Sequence, residues 1–155
     1  MIRPINNFAA RFGITISLNE NLIVNKRGQY FLLSESIKLP SIDFLYAGIY
    51  LGRSKEGDFL PSFSLLDIIA KKEANRIIVD RKTEWLFICG RDVFKRGIRR
   101  IFGSKEEDAY VLVLNSHGEC LGFGRIIEDL NKRTEDPAVE NMLDIGDFLR
   151  RERAL

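Results

Sequence analysis

Apolar positions along this chain change their spacing part-way. Residues 4–12 carry apolar side chains at helical intervals and stop at Gly13, which predicts a short helix. Residues 14–18 and 22–24 predict strand pieces, residues 25–28 a turn, and residues 29–33 a further strand. Residues 34–39 predict one helical turn before Pro40, and residues 44–51, rich in aromatic and branched side chains, predict a strand. Phe44, Tyr46 and Tyr50 alternate with period two and so share one face of it, either the core face or a partner-binding surface. A turn at residues 55–58 leads into Phe59 and Leu60. Ser64 with Asp67 has the form of a capping box ahead of an amphipathic helix of about ten residues. These elements make an α/β unit over residues 1–74.

Beyond residue 74 strand-like runs dominate. Residues 77–79, 85–89, 110–114 and 121–127 predict strands, with a turn at residues 115–118. Residues 138–143 fit helix or strand equally well, and residues 147–153 are expected to help close the chain. Short strands with glycine-rich turns point to a small barrel-like unit over residues 75–155.

Charge changes this picture at one place. The whole chain of 155 residues has a net charge of +2, yet GRDVFKRGIRR at residues 90–100 holds five basic residues and one acid. As one helix, residues 91–101 would bury Val93, Phe94, Gly97, Ile98 and Ile101 and expose Arg91, Lys95, Arg96, Arg99 and Arg100. Alternatively Gly97 is a left-handed cap and residues 98–101 run extended. Either way the cations cluster, against the repulsion between like charges four apart. A solvated face and a phosphate-binding face both fit. A second basic cluster, Arg150, Arg151 and Arg153, ends the chain, and Arg125 stands inside a strand.

Composition is that of an ordinary globular chain, 45% hydrophobic and 30% charged. No apolar run reaches the ~20 residues that span a bilayer, and no signal-peptide core is visible, so a cytoplasmic location without membrane contact is expected. Cys89 and Cys120 read as buried small residues. With a single histidine, His117 in a turn, they make no metal site, and no cofactor loop is present. An enzyme is disfavoured because no nucleophile, base and orienting group can be named together.

The run WLFICGRDVFKRGI at residues 85–98, YVLVL at 110–114 and GECLGFGR at 118–125 together resemble a PUA domain. LGFG at 121–124, Asp136 with Pro137, and DIGDFLR at 144–150 are similar to the C-terminal half of the Nip-seven family of large-subunit ribosome biogenesis factors. LSESIKL at 33–39, LYAGIYLGR at 45–53 and FSLLD at 63–67 follow that family's N-terminal domain in order and spacing. The chain is identified as a compact, archaeal-type member. The resemblance implies an α+β fold: a small antiparallel sheet with flanking helices over residues 1–74, then a PUA-type β pseudo-barrel over residues 75–155. It implies a monomeric, non-catalytic RNA-binding adaptor that meets single-stranded or looped precursor ribosomal RNA with the second unit and assembly proteins with the first. Carried onto this chain, the RNA face holds Arg150 and Arg151 with Arg153 nearby. Lys95, Arg96, Arg99, Arg100 and Arg125 are further candidates. The alternative is a protein-interaction module whose RNA binding is weak.

Overall fold

The computed structural model describes residues 2–34, 48–147 and 150. Helix α1 (Arg3–Ala10) starts with proline in its first turn and buries Ile5, Phe8 and Ala9. Residues 14–18 after it carry no regular structure and form no strand. Ile16 is nonetheless buried. Strands β1 (Ile23–Lys26), β2 (Gln29–Leu32), β3 (Ile49–Lys55) and β4 (Asp58–Pro61) make an antiparallel sheet in chain order. The readings for Phe44, Tyr46 and residues 35–39 lie outside the described residues, whereas Tyr50 is half-buried in β3 and tilts onto Phe31 at 5.5 Å.

Helix α2 (Phe63–Ala70) corrects the capping-box reading. Its N-cap is Ser62, whose Oγ accepts from the Leu65 amide at 3.1 Å and donates to the Tyr50 carbonyl at 2.6 Å. Starting there turns Leu65, Leu66 and Ile69 inward, and Ser64 becomes an exposed first-turn residue.

The second sheet contains β5 (Arg76–Val79), β6 (Val93–Phe94), β7 (Ile98–Phe102), β8 (Tyr110–Leu114), β9 (Cys120–Ile126) and β10 (Pro137–Asp144). Its order is β6-β10-β9-β8-β5-β7, curled into a half barrel, with β5 and β8 parallel and the other pairs antiparallel. The ambiguous residues 138–143 therefore belong to a strand.

Two elements here differ from the sequence expectation. Residues 85–89 lie at the end of helix α3 (Arg81–Ile88), not in a strand. The Asp80 side chain caps that helix by accepting from the Thr83 amide at 2.8 Å, and Thr83 and Phe87, four apart, are its buried positions. A short apolar run does not by itself separate helix from strand. The basic stretch is not a helix either. It runs as β6, a 3-10 turn at Lys95–Gly97, and β7. Pairing decides this: Val93 and Phe94 bond β10, and Ile98 to Phe102 bond β5. Gly97 is not left-handed, while the expectation of extended residues 98–101 holds.

The apolar residues form two clusters. One gathers Ile5, Phe8 and Phe12 from the first helix region, Leu65, Leu66 and Ile69 from α2, and Leu112, Leu114 and Phe123 from the second sheet. It therefore spans the chain on both sides of residue 75. Asn75 fixes the junction: its amide donates to the Phe12 carbonyl at 2.9 Å, its Nδ2 to the Tyr110 carbonyl at 3.2 Å, and its Oδ1 accepts from the Ser104 amide at 2.9 Å. The other cluster fills the half barrel with Ile77, Val79, Phe87, Val111 and Ile126 among others. Among the described residues no helix is long and apolar enough to cross a membrane.

Candidate nucleic-acid interface

Two segments distant in sequence meet at the start of α3. The Asp80 amide donates to the Gly97 carbonyl at 2.9 Å. Gly97 is buried against Thr83 so closely that a Cβ there would fall 1.9 Å from Thr83 Oγ1. The contact brings β7 alongside the first turn of α3. Arg81 and Lys82 from α3, Arg96 from the 3-10 turn, and Arg99 and Arg100 from β7 are all exposed. Adjacent strand residues ordinarily point to opposite faces. Here β7 carries one extra residue, Arg99, between the partners of Val79 and Ile78. This bulge lets Ile98 and Ile101 both pack inward while both arginines stay in solvent. The Arg96 guanidinium lies 4.9 Å from the centre of the Phe94 ring.

The Asp80 carboxyl reports how near these cations are. Its pKa is lowered, chiefly by hydrogen bonds from the Thr83 side chain and amide, with the charges of Arg99 and Lys82 adding to the effect. A depressed carboxyl stabilises the fold above its ordinary pKa of 3.8, and that stability is lost as pH falls through the lower, folded value. Asp80→Ala should therefore cost about 1 kcal/mol at neutral pH, as loss of an N-cap generally does. Urea unfolding of both proteins should show the gap closing once the pH drops below the carboxylate range. A gap that persists in acid would mean that Asp80 acts through packing, not charge.

The other candidates are held differently. Lys95 Nζ donates to the carbonyls of Leu130 and Lys132, so it tethers the loop before β10. Arg125 lies in β9, three strands from β7, or roughly 14 Å along the sheet. Glu140 at 2.9 Å and Asp108 at 2.6 Å flank its guanidinium and raise its pKa. The structure does not bring Arg125 to the basic face. Arg150 sits at the opposite end of α3, donating to the Ile88 carbonyl at 2.8 Å and to Asp144 Oδ2 at 2.8 Å. The Asp144 bond raises its pKa. Gly90 is left-handed, with φ 93°, and the Arg150 guanidinium packs where its side chain would stand. Arg151 and Arg153 lie outside the described residues.

Sequence reasoning passed over Arg81, Lys82 and Trp85. Once α3 is a helix, Arg81, Trp85 and Cys89 share one face at intervals of four, with Lys82 beside them. Trp85 is 64% exposed. The signal that could have found this helix is Asp80 as N-cap, three residues before Thr83. Cys89 is exposed, which corrects the expectation of a buried thiol, and Cys120 is partly buried. Burial pushes the Cys120 thiol up to about 11. The His117 amide donates to Asn115 Oδ1 at 3.0 Å in an exposed turn. Among the described residues no group of three metal-ligating side chains is gathered.

Comparison with known proteins places this geometry in a family. Residues 75–153 match the UPF0113 PUA domain. A UPF0113 protein of Archaeoglobus fulgidus is 32% identical over 121 residues, covering 70% of this chain and 63% of that relative. The match thus spans less than two thirds of the relative's length. Among solved structures, a PUA domain protein of Thermoplasma acidophilum superposes with a TM-score of 0.62 at 19% identity, over 97% of this chain and 92% of that one. A PUA domain of Aeropyrum pernix, solved with tartrate, gives 0.52 at 17% identity, over 61% and 56%. These two share the two-sheet or half-barrel fold. The chain belongs to the UPF0113 PUA domain family.

Proposed function

We propose that this protein is a non-catalytic RNA-binding adaptor of large-subunit ribosome assembly, a member of the Nip-seven family, and that it holds RNA on the α3–β7 face. The observation that carries this reading is the convergence of Arg81, Lys82, Arg96, Arg99 and Arg100 from three elements beside an exposed Trp85. PUA domains generally bind RNA, and this face lies inside the segment that matches one. Arginines and an open indole suit single-stranded RNA, where phosphates meet forked donors and unstacked bases find a ring. Residues 1–74 take the partner-binding role, with Ile49 and Leu60 exposed on the first sheet. The notional boundary at residue 75 is one of roles along the chain.

Single-stranded RNA binding measured by fluorescence anisotropy against salt tests it. With about four phosphate contacts, log affinity should fall against log salt with a slope of roughly −3. Arg99→Ala/Arg100→Ala should weaken binding about tenfold and make the slope shallower by roughly 1.4. Wild-type affinity and slope in that variant would turn the reading toward a protein-interaction module.

A further inference from the structure

We infer that the RNA track runs on from the α3–β7 face, over Trp85, into a groove whose far wall is Arg3, Arg11 and Arg53 of the N-terminal unit. The inference rests on the RNA-binding reading above and adds to it a second contact surface outside the PUA-matched residues. The groove has a volume of about 1160 Å³ and lies between α1, β3 and β4 on one side and β10 with Arg150 on the other. Continuity comes from α3 itself. Its eight residues span about 12 Å. Arg81 and Lys82 stand at one end, Trp85 is mid-way, and Gly90 at the other end already lines the groove beside Arg150. A strand leaving the basic face along the exposed side of α3 arrives there.

The groove's chemistry fits the same ligand. Arg3, Arg11 and Arg53 are exposed on the wall made by α1, β3 and β4 together with Asp58, while Arg150 lines the other wall with Asp144 and Asp147. Arg3 and Arg53 form no ion pair among the described residues, whereas Arg11 donates to the Asp108 carbonyl at 2.9 Å and stacks 3.9 Å from the Tyr110 ring centre. Arg3 and Arg53, without an ion pair among the described residues, make a phosphate-and-base surface beside a lining of Tyr50 and Phe59. Asp144, buried beneath the β10 wall, holds Arg150 at the groove's edge through its Oδ2 at 2.8 Å. A volume of about 1160 Å³ leaves room for more than one nucleotide, as an extended strand requires.

Oligoadenylates of about four and about sixteen nucleotides, the limits of common single-strand sites, separate the two surfaces. Arg3→Ala/Arg53→Ala should bind the short oligomer within about twofold of wild type and the long one about tenfold more weakly. Its salt slope on the long oligomer should be shallower by roughly 1.4. Arg99→Ala/Arg100→Ala should weaken both oligomers. Unchanged melting temperatures check that the surface substitutions leave the fold intact. If Arg3→Ala/Arg53→Ala binds the long oligomer like wild type, or loses both oligomers equally, the extended track is overturned while the α3–β7 reading stands. If the wild type binds neither oligomer, the RNA reading itself fails and this inference with it. Tighter binding of an oligoglutamate of matched charge, lost in the same variant, would overturn the track in favour of a protein ligand.

Discussion

Phe123→Ala should destabilise the whole protein by about 3–5 kcal/mol, the usual range for removing a buried aromatic ring. Phe123 belongs to β9, in the second sheet, yet its ring centre lies 5.3 Å from that of Phe8 and 5.7 Å from that of Phe12, both in the first fifteen residues. Tyr110 stands 5.3 Å from it and joins the same cluster, 5.9 Å from Phe8 and 5.6 Å from Phe12. Edge-to-face pairs of this kind add to the area they bury, and their loss leaves a cavity bounded by backbone that is fixed on both sides. Because the cluster joins α1, α2 and β8–β9, the two sheets should melt together. Circular dichroism in the far and near ultraviolet should show one coincident transition, shifted down by about 10 °C for a chain of this size. Two separated transitions, or a loss under about 1 kcal/mol, would show that the halves are energetically independent.

This shared cluster bears on what could be read from the sequence. The hairpins were legible because their turns carry glycine and polar residues between alternating strands, as at Gly28, Gly57 and Gly118. The barrel-like second unit followed from the same short strands and glycine-rich turns, whereas the α+β class came with the family resemblance. Helix α3 was not legible as a helix because Trp85, Leu86, Phe87 and Ile88 are apolar in succession, and such a run carries no period. Trp85 then turned out to face solvent, which no local rule foretells. The helical reading of the basic stretch failed for a different reason, while the extended reading of residues 98–101 held. The residues at positions 91–101 do divide into two faces at helical spacing, but a bulge at Arg99 produces the same division in a strand. Periodicity shows that two faces exist, and the pairing partner in β5 decides which element supplies them.

The candidate site was half legible for related reasons. Charge alone singles out Arg96, Arg99 and Arg100, and all three are exposed. Charge does not distinguish a free cation from one that a distant residue has claimed. Lys95 is taken by carbonyls at Leu130 and Lys132, and Arg125 by Asp108 and Glu140, contacts that span 15 or more positions. Arg81 and Lys82 were invisible for the converse reason, since only docking of the 3-10 turn places them with the rest.

That docking depends on the missing side chain at Gly97. Gly97→Ala should cost about 1–3 kcal/mol, as overpacking of a tight contact does, although alanine is among the smallest changes possible. Its Cβ would stand 1.9 Å from Thr83 Oγ1, 2.9 Å from Thr83 Cβ and 3.1 Å from Thr83 Cγ2. Rotating Thr83 about χ1 cannot relieve the contact with its own Cβ, so the 3-10 turn must move away from α3. The bond from the Asp80 amide to the Gly97 carbonyl then stretches, and Arg96 and Arg99 separate from Arg81 and Lys82. RNA affinity should consequently fall at a temperature where the variant remains folded. Thr83→Ala in the same chain removes Oγ1 and Cγ2 and should recover part of both losses, giving a coupling between the two sites that distant mutations would lack. Stability and RNA affinity are measured for the four proteins of this cycle. If Gly97→Ala loses stability but keeps RNA affinity, the cations act one by one and their alignment across the α3–β7 contact is unimportant. If both fall and both return with Thr83→Ala, the glycine is what holds the basic face in register.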